Sequence, residues 1–364
     1  TAMNPLLLLS LLGIGTSTAD ELLSVNLVIR HGDRAATTGW ATPLSPIILF
    51  RGHDELTNAG VDNAYAQGMD FRKKYVDTGF VNKRFLPSEV YIRSSTVNRC
   101  LMSASSFTNG LFQDTSKLRA VIPPIYTQEN ATDGLVYPHL ECPDGWEDVI
   151  ERFNLNATEN FATAGLVALL ASEWPCPDIP AELFDAIVSE LPNKLIKMPE
   201  NYKTCAQGPA KVFMYSYIEM LAGAGANFNA VRIRRVGGLL TNQLLTNFAA
   251  AACTGRTCPP EPKLRVYYTH DVVELAVAHI FGVLGKFKGV TPAFSSALVF
   301  ETWGGANGPY VKIYLKDGQD AGFVDTNNCA TDCSLSTVTT AASAFAITSQ
   351  LQCAAVVEST TVAG

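Results

Sequence analysis

Three short runs of β-branched and aromatic residues constrain the fold most. They are Val25–Ile29, Val90–Ile92 and Leu264–Tyr268, and each leads into a segment with helical periodicity. Strands that alternate with helices are typical of a sheet with parallel strands, because a parallel pair needs a crossover connection. We therefore expect an α/β fold, with a central, mostly parallel sheet flanked by helices.

The later part of the chain predicts a hairpin and a cap. Ala297–Trp303 and Tyr310–Lys316 flank a glycine-rich segment, which indicates a hairpin at the sheet edge. Between about residues 128 and 255, helical patterns follow one another without a strand, which indicates a mainly helical cap domain. The expected organisation is a signal peptide at 1–19, an α/β domain at 20–127 and 256–353, the cap at 128–255 and a tail at 354–364.

Polar residues follow each of the three strand-like runs. The clusters are Arg30-His31-Gly32-Asp33-Arg34, Arg93-Ser94-Ser95 and Thr269-His270-Asp271. In open α/β sheets, ligands bind in the crevice beyond the carboxyl ends of the strands. We therefore expect these clusters to meet in one site.

The residue types in these clusters suit phosphoryl transfer. Guanidinium groups offer forked donors to phosphate oxygens and stabilise charge during the transfer. An imidazole serves as a nucleophile, and a carboxyl group protonates a leaving alkoxide. Gly32, directly after His31, would let the backbone approach a ligand closely.

Each of these residues also has a simpler interpretation. Arg30 and Arg34 could form surface ion pairs, and His270 could close a loop. Asp271 could be a helix N-cap, with Glu274 as its capping-box partner. The two interpretations of Asp271 are compatible with each other.

The same segments resemble the motifs of the histidine acid phosphatases. Residues 27–34, LVIRHGDR, look like the RHGxRxP signature of that family. Residues 91–104 resemble its second arginine block, and residues 268–271, YTHD, are similar to its distal His-Asp pair. Order and separation fit, and the resemblance extends from about residue 22 to Cys353.

This resemblance implies a mechanism and a set of roles. His31 would be the nucleophile that becomes a phosphohistidine, and Asp271 would donate a proton to the leaving group. The side chains expected to hold the phosphoryl oxygens are Arg30, Arg34, Arg93 and His270. Water would hydrolyse the intermediate, with no metal and no other cofactor. The substrate class would be small-molecule phosphate monoesters, and activity would be favoured in acid.

Four residues depart from the pattern of the family, one of them Cys100, which replaces a common threonine. Ala36 stands where the signature has proline, so the loop after Arg34 is less fixed. Thr96 and Asn98 stand where animal acid phosphatases commonly have aspartates. These departures leave open a catalytically weak secreted binding or antigenic protein on the same fold. A phytase or a lysophospholipid phosphatase would use the same chemistry and also stays open, although the His-Asp ending favours the acid phosphatase branch.

The N-terminus and two sequons indicate the secretory path. An apolar run at residues 6–12 precedes small residues, with Ser17 and Ala19 at the positions expected for cleavage before Asp20. Asn130 and Asn156 begin glycosylation sequons. Nine cysteines are also more typical of an oxidising compartment. We expect a secreted, lysosomal or lumenal protein.

The cysteines are expected to form four disulfides. The resemblance implies Cys329–Cys333 and Cys142–Cys353, as in animal members of the family. Of the other cysteines, Cys176–Cys205 and Cys253–Cys258 are the pairs to test, which leaves Cys100 free. Connectivity does not follow from sequence alone.

Charge and hydropathy bear on the partners. The net charge of −7 comes without a dense basic block, which argues against nucleic-acid binding. After residue 20 we expect no segment that spans a membrane. The oligomeric state stays open, with a homodimer as one alternative.

Overall fold

The computed structural model describes residues 20–350, apart from 38–48, 114–120, 139, 141, 143, 157–159, 191–198, 254–257, 259, 288–290 and 327–332. The predicted signal peptide, the tail, Cys329 and Cys353 lie outside the described residues. The strands are β1 (Glu21–Arg30), β2 (Val90–Ser94), β3 (Leu264–Thr269), β4 (Ala297–Gly305), β5 (Gly308–Lys316) and β6 (Val324–Asp325). The helices are α1 (Asn58–Phe71), α2 (Asn98–Phe112), α3 (Glu147–Phe153), α4 (Phe161–Glu173), α5 (Phe184–Glu190), α6 (Glu200–Gln207), α7 (Pro209–Ala222), α8 (Ala230–Ala251), α9 (Asp271–Ile280) and α10 (Leu335–Ser343).

The six strands form one sheet in the order β2-β3-β1-β4-β5-β6. The three strands predicted from the β-branched runs, β1, β2 and β3, pair in parallel. The predicted hairpin is β4–β5; β4 pairs antiparallel with β1, and the short β6 pairs with β5. The α/β class is confirmed.

The two faces of the sheet carry separate cores. Successive residues of a strand point to opposite faces, and β1 is buried on both. Val25, Leu27 and Ile29 pack with the aromatic residues of α1 and α2. Val28, on the other face, packs with α7, α8 and α9. Helices therefore cover both faces, as parallel strands require.

The region predicted as a cap has a small core of its own. Cys176, Ile179, Ile187, Cys205 and Ala206 belong to a cluster that Ala210 completes. It lies around α5 and α6, whereas α7 and α8 share the large core with the sheet. The division of the chain at residues 128 and 255 stays a prediction.

Two of the expected disulfides join described residues. Cys176 and Cys205 are bonded, with Cα atoms 6.2 Å apart, and Cys253 and Cys258 are bonded, with Cα atoms 5.9 Å apart. Cys142 and Cys333 are also disulfide-bonded. The partners predicted for them lie outside the described residues, while Cys100 is a buried free thiol. Among the described helices, none is long and apolar enough to cross a bilayer.

Candidate active site

The ends of the three parallel strands bring two histidines together. In the sheet register, Arg30 lies opposite Thr269, so the residues that follow, His31 and His270, leave the sheet side by side. The His31 amide donates to the carbonyl of Thr269 at 3.1 Å. The two imidazole ring centres are 5.6 Å apart. This is the convergence that the polar clusters predict.

His31 is set up as a nucleophile through Nε2. Its Nδ1 lies 2.9 Å from the carbonyl oxygen of Gly32, which can only accept, so Nδ1 carries the proton. Nε2 is then the unprotonated nitrogen, and its lone pair can act as the nucleophile. Burial, together with Arg99 and Arg30, holds the pKa of His31 well below its usual range. The imidazole therefore stays neutral, and nucleophilic, in acid.

Arg99 is the cation that contacts this nucleophile directly. It is not among the residues predicted to form the site. Its Nε donates to Nε2 of His31 at 3.1 Å, and its Nη2 lies 3.5 Å from Nδ1 of His270. Its Nη1 donates to Asp54 at 2.6 Å. Arg99 is the second residue of α2, which begins soon after β2 ends. The sequence signal for it was the second arginine block itself, which contains two arginines.

Arg93 is one of the three arginines predicted to bind phosphate, but its polar contacts are with residues other than the two histidines. Its Nη2 lies 2.7 Å from the buried carboxylate of Asp133. Its Nη1 donates to the carbonyls of Ser94 and Tyr126. Arg93 belongs to β2 itself, and these contacts hold the segment around Tyr126 against that strand. The structure thus brings Arg99, and not Arg93, to His31.

Arg30 and Asp271 form a buried ion pair. Nη2 of Arg30 lies 2.7 Å from Oδ2 of Asp271, and the guanidinium stacks 4.2 Å from the ring centre of Phe294. Burial alone would raise the pKa of Asp271, but Arg30, His270 and Arg34 together hold it below its usual value. The carboxylate is therefore ionised in the free protein.

The capping-box interpretation of Asp271 is wrong. His270 is the N-cap of α9 and Asp271 the first helical residue. Glu274 points inward, where it accepts a hydrogen bond from Ser296. Burial dominates here, and Glu274 bonds to the residue before β4 instead of to the start of its own helix.

His270 is fixed by the end of β2. Its Nε2 lies 3.2 Å from the hydroxyl of Ser95 and 3.7 Å from Sγ of Cys100. Burial and the charge of Arg99 lower the pKa of His270 to about 3. It is therefore a neutral polar group beside His31.

The close backbone approach at Gly32 is made to the protein itself. A Cβ at Gly32 would lie 2.6 Å from the carbonyl oxygen of Gly60, in the first turn of α1. Contact with a helix is thus one reason for this glycine, and the expected approach to a ligand stays a prediction. The Gly32 amide donates to Ser103 at 2.9 Å.

Arg34 completes the set of cations and is held by two carboxylates. Its two Nη atoms donate to Asp185 at 3.0 and 2.8 Å, and its Nε lies 3.3 Å from Asp54.

A cavity of about 280 Å³ adjoins Arg30 and Arg34. In the part of the chain described, no group of His, Cys, Asp or Glu is arranged to hold a metal ion.

The predicted glycosylation sites and the residues that depart from the family pattern differ in exposure. Asn156 is exposed and Asn130 half-buried. Asn98, one of the residues that depart from the family pattern, donates to Glu55 at 2.9 Å. Ala36, another, is buried.

Comparison with known proteins agrees with the sequence motifs. The profile of the histidine phosphatase superfamily (branch 2) matches residues 49–134. Testicular acid phosphatase of Homo sapiens is 29% identical over 330 residues, which cover 82% of this chain and 71% of that protein. Putative acid phosphatase 1 of Caenorhabditis elegans is 25% identical over 332 residues, covering 86% of this chain and 76% of that protein.

A solved structure supports the fold independently. The phytase of Hafnia alvei in complex with tartrate superposes with a TM-score of 0.59 and 18% identity, covering 92% of this chain and 99% of that chain. At this identity the likeness establishes the fold alone. The matches to a family profile and to acid phosphatases bear out the resemblance to the histidine acid phosphatases that the sequence motifs indicate.

Proposed function

We propose that this chain, a histidine acid phosphatase of the histidine phosphatase superfamily (branch 2), hydrolyses phosphate monoesters through a phosphohistidine at His31. The observation that carries the proposal is the state of His31. Its Nδ1 is bound to the Gly32 carbonyl, and its Nε2 faces the guanidinium of Arg99 in a buried site. A neutral imidazole beside a fixed cation is the arrangement needed to attack an anionic phosphoryl group.

The first step forms the bond between Nε2 of His31 and phosphorus and breaks the ester P–O bond. The leaving oxygen takes the electron pair of that bond and a proton from the Asp271 carboxyl, so it departs as an alcohol. In the second step water attacks phosphorus, the P–N bond breaks, and Asp271 takes a proton from the water. Inorganic phosphate and neutral His31 result.

The phosphoryl oxygens would be held by Arg30, Arg34, Arg99 and His270. Arg99 replaces Arg93 in the predicted set because it contacts both histidines. Arg30 ends β1 and Arg34 lies in the loop after it. Arg99 lies in α2, and His270 directly follows β3. Their chemistry requires no metal ion.

The acid preference would follow from the pairing of Asp271. In the free protein Arg30 keeps this carboxylate ionised, so it has no proton to donate. A bound phosphoryl group competes for Arg30 and adds negative charge, and both effects raise the pKa of Asp271. The proton can enter with a monoanionic ester, which is the abundant form in acid.

The assignment of His31 and Asp271 is tested with two variants and two substrates. His31→Ala should abolish hydrolysis of p-nitrophenyl phosphate and of an alkyl phosphate. Asp271→Asn should slow the alkyl ester by roughly 10²–10⁴-fold, because general acid catalysis is lost, and the nitrophenyl ester much less. Equal losses on both substrates would remove Asp271 from the acid role, and activity in His31→Ala would remove the phosphohistidine.

The same assay separates this function from that of an inert binding protein on the same fold. Turnover that is highest in acid and survives a chelator supports the phosphatase. Folded protein without turnover would favour the binding role.

We also propose that the protein is secreted. Expression in a secreting host, with sequencing of the N-terminus and mapping of the glycans, tests this. Processing before Asp20 and a glycan at Asn156 are expected.

A further inference from the structure

Asp185, on α5, is the most heavily bonded carboxylate near the site. Oδ2 accepts from Nη1 of Arg34 at 3.0 Å, and from the amide and the hydroxyl of Thr37 at 2.7 and 2.8 Å. Oδ1 accepts from Nη2 of Arg34 at 2.8 Å and from the hydroxyl of Ser189 at 3.2 Å. The residue is 3% exposed. Five donors in a buried setting fix both its position and its charge.

The pairing limits what Arg34 can offer to a ligand. Of the five N–H groups of a guanidinium, both on Nη1 are used, by Asp185 and by the carbonyl of Ala35. One N–H on Nη2 goes to Asp185, and Nε faces Asp54. Among the residues that the structure describes, none accepts a hydrogen bond from the second N–H on Nη2. Arg34 can therefore bind a phosphoryl oxygen through this group without releasing Asp185.

The same carboxylate anchors the loop after β1. Arg34, Ala36 and Thr37 belong to this loop, and Ala36 stands where the family signature has a proline. A proline would restrict the backbone there. Here Asp185 restrains the loop at both ends instead, at the Arg34 side chain and at the Thr37 backbone. Burial would raise the pKa of Asp185, yet Arg34 and Thr37 hold it well below its usual range, so the anchor is ionised in acid.

We propose that Asp185 is a positioning residue of the phosphate site, which holds Arg34 and the loop to Thr37 so that one Arg34 N–H is aimed at the phosphoryl group. The proposal rests on the proposed function in one respect, namely that Arg34 contacts phosphate. It makes the α5 segment part of the recognition of the phosphoryl group. It also explains how the loop keeps its geometry without the proline.

The test measures inorganic phosphate affinity by calorimetry and the kinetics with p-nitrophenyl phosphate for Asp185→Asn. This variant keeps the shape of the side chain and removes its charge. Phosphate should bind more weakly by between about tenfold and a hundredfold, as expected when a positioned contact shifts by an ångström. KM should rise more than kcat falls, since His31 and Asp271 are untouched. Asp178→Asn removes the same charge from an exposed site in the same region and should change neither quantity.

A double-mutant cycle shows whether Asp185 acts through Arg34. Asp185→Asn should weaken phosphate binding in the wild-type background and have no further effect in Arg34→Gln. Additive losses would overturn the proposal, as would tighter phosphate binding in Asp185→Asn, which would make Asp185 a competitor of the ligand. If Arg34→Gln alone leaves phosphate affinity unchanged, the failure lies with the role of Arg34 in the proposed function instead.

Circular dichroism and the melting temperature guard the result against misfolding. If Asp185→Asn is unfolded, Thr37→Val gives a second measurement, because it removes one hydroxyl donor and leaves the charges in place. Its phosphate affinity should fall with the fold retained. Unchanged phosphate affinity in a folded Thr37→Val would count against the anchored loop.

Discussion

Arg93 and Arg99 are six residues apart and have opposite surroundings. Arg99 contacts both histidines, whereas Arg93 neutralises Asp133, a carboxylate with no exposed surface. In the proposed function Arg99 therefore binds the ligand, whereas the contacts of Arg93 are with the fold. Variants of the two should separate these effects.

Arg99→Gln should lower kcat/KM for p-nitrophenyl phosphate by roughly 10²–10³-fold, because a charge on the reacting group is lost. Its melting temperature should change little. Arg93→Gln leaves a buried carboxylate unpaired and should cost about 3–5 kcal/mol of stability. The measurements are steady-state kinetics and urea unfolding on both proteins. A stable Arg93→Gln with a large loss of kcat/KM would reverse the two roles.

At the scale of single residues, the sequence predicted what lies at strand ends. His31, His270, Arg30 and Asp271 could be found because the end of a parallel strand places its residues at one edge. Asp54 and Asp185 could not, because each reaches the arginines from a distant part of the chain. Such pairings depend on tertiary packing, and no local pattern records them.

Helix α9 carries both an acid of the site and a buried carboxyl one turn later. Glu274 is fully buried and bonded to Ser296. Burial raises its pKa well above the usual 4.5. In the folded protein it therefore keeps a proton that the unfolded chain loses above about pH 4.5. The stability that this group contributes is full below that pH and is lost as pH rises through the raised pKa.

Glu274→Gln should remove one contribution that lowers stability as pH rises. Glutamine cannot ionise, so the melting temperature of the variant relative to the wild type should rise between pH 4 and pH 7. His31 and His270, whose pKa values are lowered, change the stability of both proteins in the opposite direction, so the difference between the two curves is the quantity to compare. Calorimetry at several pH values measures both curves. Parallel curves would mean that Glu274 ionises normally in the folded protein.

At the scale of elements, buried charges mark the start of α8. This helix begins at Ala230. Its first turns hold Arg232 and Arg235, which are both buried. Arg232 is 1% exposed and pairs with Asp148 at 2.9 Å. In a sequence, a charged residue of a buried ion pair cannot be told from a surface charge, because its partner lies far away in the chain.

For the whole molecule, the two disulfides that join described residues should contribute unequally to stability. Cys176 and Cys205 are separated by 29 residues, and Cys253 and Cys258 by 5. A longer closed loop removes more entropy from the unfolded chain, so the first bond should be worth about 3.6 kcal/mol and the second about 2.2 kcal/mol. Double alanine variants of each pair, unfolded in urea, measure the difference. A larger loss from the short loop would contradict this entropic account.

The pairing of the arginines also has a consequence for how substrate arrives. Arg30, Arg34 and Arg99 each face an aspartate, so the described site contains as many anions as cations. A cluster of balanced charges projects little field into solution, and the protein as a whole carries −7. Long-range attraction therefore contributes little to the association rate of an anionic ester. Capture depends on random encounter, and selection takes place after contact, when phosphate oxygens bind the remaining N–H of Arg34 and compete with Asp271 for Arg30.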